Sequence, residues 1–247
     1  MSGKERNMID MVPNLKISKA DMPKKVIVCG DPERAVNISK MLKDTKLIGK
    51  NREYYSYAGT WNNEVVAVVS HGVGGPGAAV CFEELAMAGA EVMIRVGTAG
   101  SYQKEIEPGS LVISTAAVSR DGLSSQIAPA GFPAVANRHI VSALAIAAES
   151  KGLKVFEGIT LTLDAFYTGS NPFSHEAYKQ SNVLAVEMEI AALFTIASLR
   201  NFKAGAILAI DGYADADLMA DYNPHTNTVK QAIEEEAVIA LDALCTL

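Results

Sequence analysis

Three glycine-bearing segments each follow a short apolar run: CGDPER from Cys29, SHGVGGPG from Ser70 and RVGTAGS from Arg95. A glycine turn after a strand frees backbone N–H groups to face an anion, and a helix start beyond it adds positive potential. Arg34 stands in the first segment and Arg95 opens the third. Ligands of parallel sheets bind beyond the carboxyl ends of the strands. A single turn of this kind more often only reverses the chain, but three of them with two arginines point to an oxyanion site. No GxGxxG with a ribose-binding acid about 20 residues on, and no GxxxxGK[ST], occurs, which disfavours a dinucleotide site or a P-loop.

Two acidic features could act on such a ligand. Val186-Glu187-Met188-Glu189 leads into the apolar segment IAALFTIASL, where unpaired charge is costly. The plain alternative is a glutamate at a helix start. Asp211 closes the apolar run AGAILAI and precedes Gly212. Its plain alternative is a turn or N-cap aspartate.

The elements that must carry these residues alternate along the chain. Lys25–Cys29 reads as a buried strand, with Asp31 as N-cap and Pro32 as first residue of a helix to about Leu42. Arg52–Trp61 and Val65–Ser70 read as strands joined at Asn62-Asn63. A helix is expected over Ala78–Ala88. Strands are expected over Glu91–Val96, ending in the GTAGS turn, and over Ser110–Val118. His139–Lys151 has helical spacing. Val155–Thr162 and Val183–Val186 read as strands, Ile190–Leu199 as a helix and Ala204–Ile210 as a strand. The last helix is expected from near Thr228, with Gln231 completing a capping box, to about Leu244. Asp121–Arg138, Thr168–Ser181 and Gly212–Asn227 read as long loops, which are usually functional. The pattern predicts one α/β domain over 1–247, a central, mixed but mostly parallel sheet flanked by helices, with 1–14 as a flexible arm.

The 247 residues are 49% hydrophobic and 20% charged, with a net charge of −6. That excludes a disordered chain and argues against broad, charge-driven nucleic-acid binding. Cys29, Cys81 and Cys245 form no metal or disulfide pattern, so reduced thiols in a cytoplasmic protein are expected. Neither a signal peptide nor an apolar run of about 18 residues is found, so no membrane partner is expected.

The order GDPER, NREY, SHGVGGPGAAVCFEEL, IRVGTAGS, FPAVA, VEMEIAAL and a strand ending in Asp-Gly resembles the nucleoside phosphorylase family. Within it, the chain is most similar to the hexameric purine nucleoside phosphorylases of apicomplexan parasites and to uridine phosphorylases. The resemblance runs from about Leu15 to the C-terminus. It implies reversible phosphorolysis, in which phosphate attacks C1′ of a nucleoside to give free base and a pentose 1-phosphate. It assigns the phosphate to Gly30, Arg34, Arg95 and Thr98, with Arg52 of NREY reaching the neighbouring subunit's phosphate. Glu189 would bind the ribose hydroxyls and Met188 would pack on the sugar, beside Glu187. Tyr167 and Val186 would line the base and sugar pocket, and Asp211 would face purine N7 as the acid. The implied assembly is a homo-oligomer, a hexamer built as a trimer of dimers with shared sites. Phosphate is the co-substrate and no cofactor or metal is implied.

Uridine phosphorylases continue after the FY pair with a Gln and an Arg that read uracil, whereas this chain has Ser170 and Pro172. That difference and the Asp-Gly pair favour a purine; uridine, methylthio-nucleosides and hydrolysis by water are the alternatives. Asn14 stands where the parasite enzymes have a histidine that reaches the neighbour's 5′-hydroxyl. The loop after Asp211 lacks their tryptophan, and its acidic run Asp215, Asp217 and Asp221 reads as a solvated loop rather than a metal site. His71 reads as support for its glycine turn or as a subunit contact rather than as a base, and His139, His175 and His225 read as exposed.

Overall fold

The computed structural model describes residues 10–167, 169–171, 173–215 and 222–247. Residues 1–9 of the expected arm, Pro172, Asp217 and Asp221 lie outside the described residues. Ten strands form one sheet: β1 Lys25–Cys29, β2 Lys43–Asn51, β3 Tyr54–Trp61, β4 Glu64–Ser70, β5 Val92–Ser101, β6 Leu111–Arg120, β7 Ala134–Val135, β8 Val155–Leu163, β9 Ala185–Glu187 and β10 Lys203–Tyr213. The helices are α1 Pro32–Ser39, α2 Gly75–Ala88, α3 Gly122–Ile127, α4 Arg138–Ser150, α5 His175–Gln180, α6 Ile190–Arg200 and α7 Asn227–Cys245.

Parallel pairs join β4 to β1, β1 to β5 and β5 to β10. The sheet then turns on itself. Strand β10 pairs antiparallel with β6, β6 parallel with β8, β8 parallel with β9, and β9 antiparallel with β5. Strands β5, β10, β6, β8 and β9 therefore close a ring, and β3 and β2 extend the other edge antiparallel. This is the mixed α/β sheet expected from the sequence.

Two apolar layers form because successive strand residues face opposite ways. In β1, Val26 and Val28 enter one cluster while Ile27 and Cys29 enter the other. The first layer is covered by α2 and α6, the second by α1, α4 and α7. Among the described residues no helix is long and apolar enough to cross a membrane.

Several boundaries differ from expectation for physical reasons. The GTAGS segment is not a turn but the end of β5, because Gly100 and Ser101 pair with β9. Strand β2 is so rich in exposed lysine that its sequence carries no strand signal; pairing with β3 alone forms it. Two of the expected loops contain α3, β7 and α5. The last helix is capped by the Thr226 hydroxyl, which accepts from Val229 N, while Gln231 donates to Glu235; the Thr228 capping box does not form. The Asn62-Asn63 turn holds, with φ of 46° and 67° as a tight hairpin turn requires.

Gly205 in β10 shows how closely α4 is seated. A Cβ there would lie 2.3 Å from Cγ2 of the buried Ile140. Gly205→Ala is expected to cost about 1–3 kcal/mol through overpacking. The measurement is urea unfolding. The double substitution with Ile140→Ala should lose less than the sum of the two single losses, and full additivity would show that the two residues do not compete for space.

Candidate active site

The carboxyl ends of β1, β5 and β10 lie side by side, and β9 runs back against β5 there. They open into a cavity of about 1170 Å³. From the turn after β1 comes Gly30 and from the first turn of α1 Arg34; from β5 come Arg95 and Thr98; from β9 and the turn after it come Val186 to Glu189; from β10 comes Asp211. Phe166 and Tyr167 overhang it, Tyr167 at 75% exposed. Gly169, Asn171 and His175 from the following segment also line it.

Arg95 is buried, and its guanidinium sits between two buried acids. Its Nη2 donates to Glu189 Oε2, and its Nη1 lies 3.6 Å from Glu187 Oε2. Gly97 makes the space: a Cβ there would lie 2.5 Å from Arg95 Nη1. Burial works against the guanidinium's charge, but the two carboxylates outweigh it and raise its pKa. Nε and Nη1 of Arg95 are buried and have no hydrogen-bond partner among the described residues.

The two glutamates of VEME are fixed differently. Glu189 Oε1 accepts from Gly74 N at 2.6 Å. Burial opposes its charge, yet Arg95 holds its carboxyl below the usual range. Glu187 Oε2 accepts from Glu189 N at 2.7 Å and Ile190 N at 2.9 Å, and Oε1 accepts from the Thr162 hydroxyl. Glu187 therefore does cap the start of α6, the plain alternative for this motif. Burial raises its pKa against the pull of Arg95.

Asp211 is placed by a bulge. The β5–β10 register runs Ile210 to Ala99 and then Gly212 to Gly100, so Asp211 is the extra residue and its carboxyl is re-aimed. It is 8% exposed, its Oδ2 accepts from the Tyr222 hydroxyl at 2.9 Å, and burial raises its pKa despite that bond and one from Thr98.

Two expected residues stand apart from this cavity. Arg52 is exposed at the β2–β3 turn with φ of 53°, outside the lining. Asn14 donates from Nδ2 to Glu84 Oε1 at 2.6 Å, and its carbonyl accepts from Asn51. Neither lines the pocket of its own chain.

Three groups escaped the sequence reading. Tyr222 lay in an apparent loop. His175 is not exposed as expected: its Nδ1 lies 2.8 Å from the Tyr102 hydroxyl, and the ring is half-buried. Glu236, fully buried behind the cavity, lies 3.5 Å from Arg34. A usable signal existed for Glu236 alone, since it falls in the apolar stripe Val229, Ala232, Ile239 and Ala243. Of the acidic run, Asp215 pairs with Lys179 at 2.9 Å.

His71 supports its turn as expected. Its Nδ1 donates to Gly72 O at 2.8 Å, because a carbonyl can only accept. Nε2 is therefore the unprotonated nitrogen of the neutral ring.

Residues 24–245 match the model of the phosphorylase superfamily. The chain belongs to that superfamily, and within it to the nucleoside phosphorylases. It is 37% identical over 242 residues to a purine nucleoside phosphorylase of Plasmodium falciparum, covering 97% of this chain and 98% of that one. It is 34% identical over 230 residues to a uridine phosphorylase of Haemophilus influenzae, covering 88% and 90%. A crystal structure of purine nucleoside phosphorylase from Toxoplasma gondii in complex with immucillin-H superposes with a TM-score of 0.93 at 33% identity, covering 100% of this chain and 98% of that one. Both base specificities thus occur among relatives of similar identity.

Burial depresses the His71 pKa from 6.5 to about 4. The folded chain then binds fewer protons at this group than the unfolded chain does. Stability is full above about pH 6.5 and falls as pH drops toward 4, by up to about 3 kcal/mol from this residue. Urea unfolding across that range checks it. His71→Asn should flatten that part of the profile, and an unaltered slope would remove His71 as its source.

Proposed function

We infer that this enzyme carries out reversible phosphorolysis of purine nucleosides of the inosine, guanosine or adenosine type. The observation that carries this reading is one cavity lined both by two arginines, Arg34 and Arg95, and by a buried carboxyl, Asp211, with a raised pKa. Glycosidic cleavage builds positive charge on the sugar and negative charge on the leaving base. Asp211 donates a proton to purine N7 as the C1′–N9 bond breaks, and a raised pKa keeps that proton available. Gly30, Arg34, Arg95 and Thr98 hold the phosphate, the arginines through charge-assisted hydrogen bonds. The phosphate oxygen then bonds to C1′, giving ribose 1-phosphate.

Glu189, aligned by Gly74 N and Arg95, accepts from the sugar hydroxyls, and Met188 and Val186 pack beside the ring. Glu187 supports this turn from behind, and Tyr167 covers the base. Arg52 and Asn14 complete a neighbouring subunit's site, which makes a dimer the smallest competent unit, within a hexamer. Phosphate is co-substrate, and no cofactor enters the scheme. The purine assignment draws on Asp211-Gly212 and on Ser170 and Pro172 standing where uridine phosphorylases carry their uracil-reading Gln and Arg. Uridine is the second reading, favoured by the relatives that act on it.

Incubation with inosine, adenosine or uridine, with and without phosphate, tests the reading. Purine release that requires phosphate is expected. Uracil release without purine release would overturn the base assignment, and release undiminished without phosphate would overturn phosphorolysis. Asp211→Ala should lower kcat on inosine by about 10²–10⁴-fold while phosphate binding persists; near-normal turnover would show that another group is the acid.

Shared sites make a separate prediction. Arg34→Ala and Arg52→Ala proteins, each impaired alone, should regain activity when their subunits are exchanged, because a mixed dimer holds one intact pocket. No recovery after exchange verified by mass spectrometry would place both arginines in one chain's site.

A further inference from the structure

Helix α7 carries a carboxyl group where its pattern asks for an aliphatic side chain. The buried stripe runs Val229, Ala232, Glu236, Ile239 and Ala243, and Glu236 is 0% exposed. A carboxylate so placed stands only if paired or protonated. Its Oε1 lies 3.5 Å from Arg34 Nη1, beyond a short ion pair, and its Oε2 has no partner among the described residues. The charged and titratable groups facing it come from three elements: Arg34 from α1, Arg95 from β5 and the Cys29 thiol from β1, itself pushed up to about 12 by burial. Arg34 lines the cavity and Glu236 does not. One guanidinium is thus shared between a carboxyl behind the wall and whatever occupies the cavity.

We propose that Glu236 is a positioning residue that holds Arg34 in the anion-free site and releases it, taking up one proton from solvent, when a doubly charged oxyanion enters. This rests on the phosphate role of Arg34 proposed above. The balance is simple: the carboxylate gains a proton, no covalent bond to the anion forms, and Arg34 changes partner. Burial already pushes the Glu236 pKa up to about 8 against the pull of both arginines and of the Gly97 and Ala209 amides. Turning Arg34 toward an anion removes the stronger pull and adds negative charge nearby, so the carboxyl is protonated in the complex. Anion binding therefore draws protons near and above pH 8 and weakens as pH rises.

Sulfate is the probe, because it does not titrate in this range while phosphate does. Calorimetric titration of the wild-type enzyme at pH 8, in two buffers of different ionisation enthalpy, should show uptake of about half a proton per sulfate. The sulfate Kd should be about fivefold weaker at pH 9 than at pH 8. Glu236→Gln should bind sulfate without proton uptake and with Kd changing less than about twofold over that interval. A wild-type proton count of zero overturns the inference, and this measurement decides it even where the variant does not fold. Uptake that persists in Glu236→Gln also overturns it and assigns the proton to Glu187. Sulfate binding without proton exchange leaves the phosphate site standing, whereas Arg34→Ala with unchanged sulfate affinity removes both readings.

Discussion

The site is organised around one buried cation. Arg95 is enclosed in the protein, where an unpaired guanidinium would be prohibitive, and it is held there by Glu189 and Glu187. Each of those acids is fixed by a different part of the chain. Glu189 takes the amide of Gly74 at the start of α2, and Glu187 takes the amides at the start of α6 and the hydroxyl of Thr162 on β8. Gly97 leaves the hole that the guanidinium fills. One charge therefore ties β5, β8, β9, α2 and α6 into a single geometry. Removing Glu189 would take from the guanidinium its directly hydrogen-bonded partner, a loss of about 3–5 kcal/mol.

The sheet explains how so many segments reach one point. Parallel β1, β5 and β10 end together, while β9 returns antiparallel and brings the two glutamates to the same edge. Closing five strands into a ring fixes the spacing that an open sheet would leave to its twist. The bulge at Asp211 then turns one carboxyl out of the strand alternation, into contact with Tyr222. Local irregularity here does positional work that a regular strand cannot.

Much of this arrangement was legible beforehand because it rests on local signals. Continuous apolar runs marked β1, β4 and β10, and Asp31-Pro32 marked the start of α1. The motif Glu187 to Glu189, Arg95 and Asp211 stood out because charge beside an apolar segment demands a reason. What was hidden depends on pairing across the chain. Strand β2 exists only because β3 offers it hydrogen-bond partners. The GTAGS segment looked like a turn until Val186 and Ala185 paired with its glycine and serine. Tyr222 meets Asp211 from a segment with no periodicity, and Glu236 was masked by its neighbours Glu234 and Glu235, which make the trio look like a solvated helix face.

Charge balance at the cavity wall sets a constraint of its own. Two guanidiniums, Arg34 and Arg95, face three buried carboxyl groups, Glu187, Glu189 and Glu236. If all three were ionised, the wall would already carry an excess of one negative charge, and a dianion added to it would find repulsion rather than a site. Two remedies are compatible with the fold. Burial can keep a carboxyl protonated, and it acts in that direction on both Glu187 and Glu236. A further cation can arrive from outside the chain, the role proposed above for Arg52, which is exposed on a turn and away from its own pocket. The net charge of −6 is then no obstacle to an anionic substrate. The field that matters is set by which few carboxyls hold protons, and in the proposed shared site also by an arginine of the neighbouring chain.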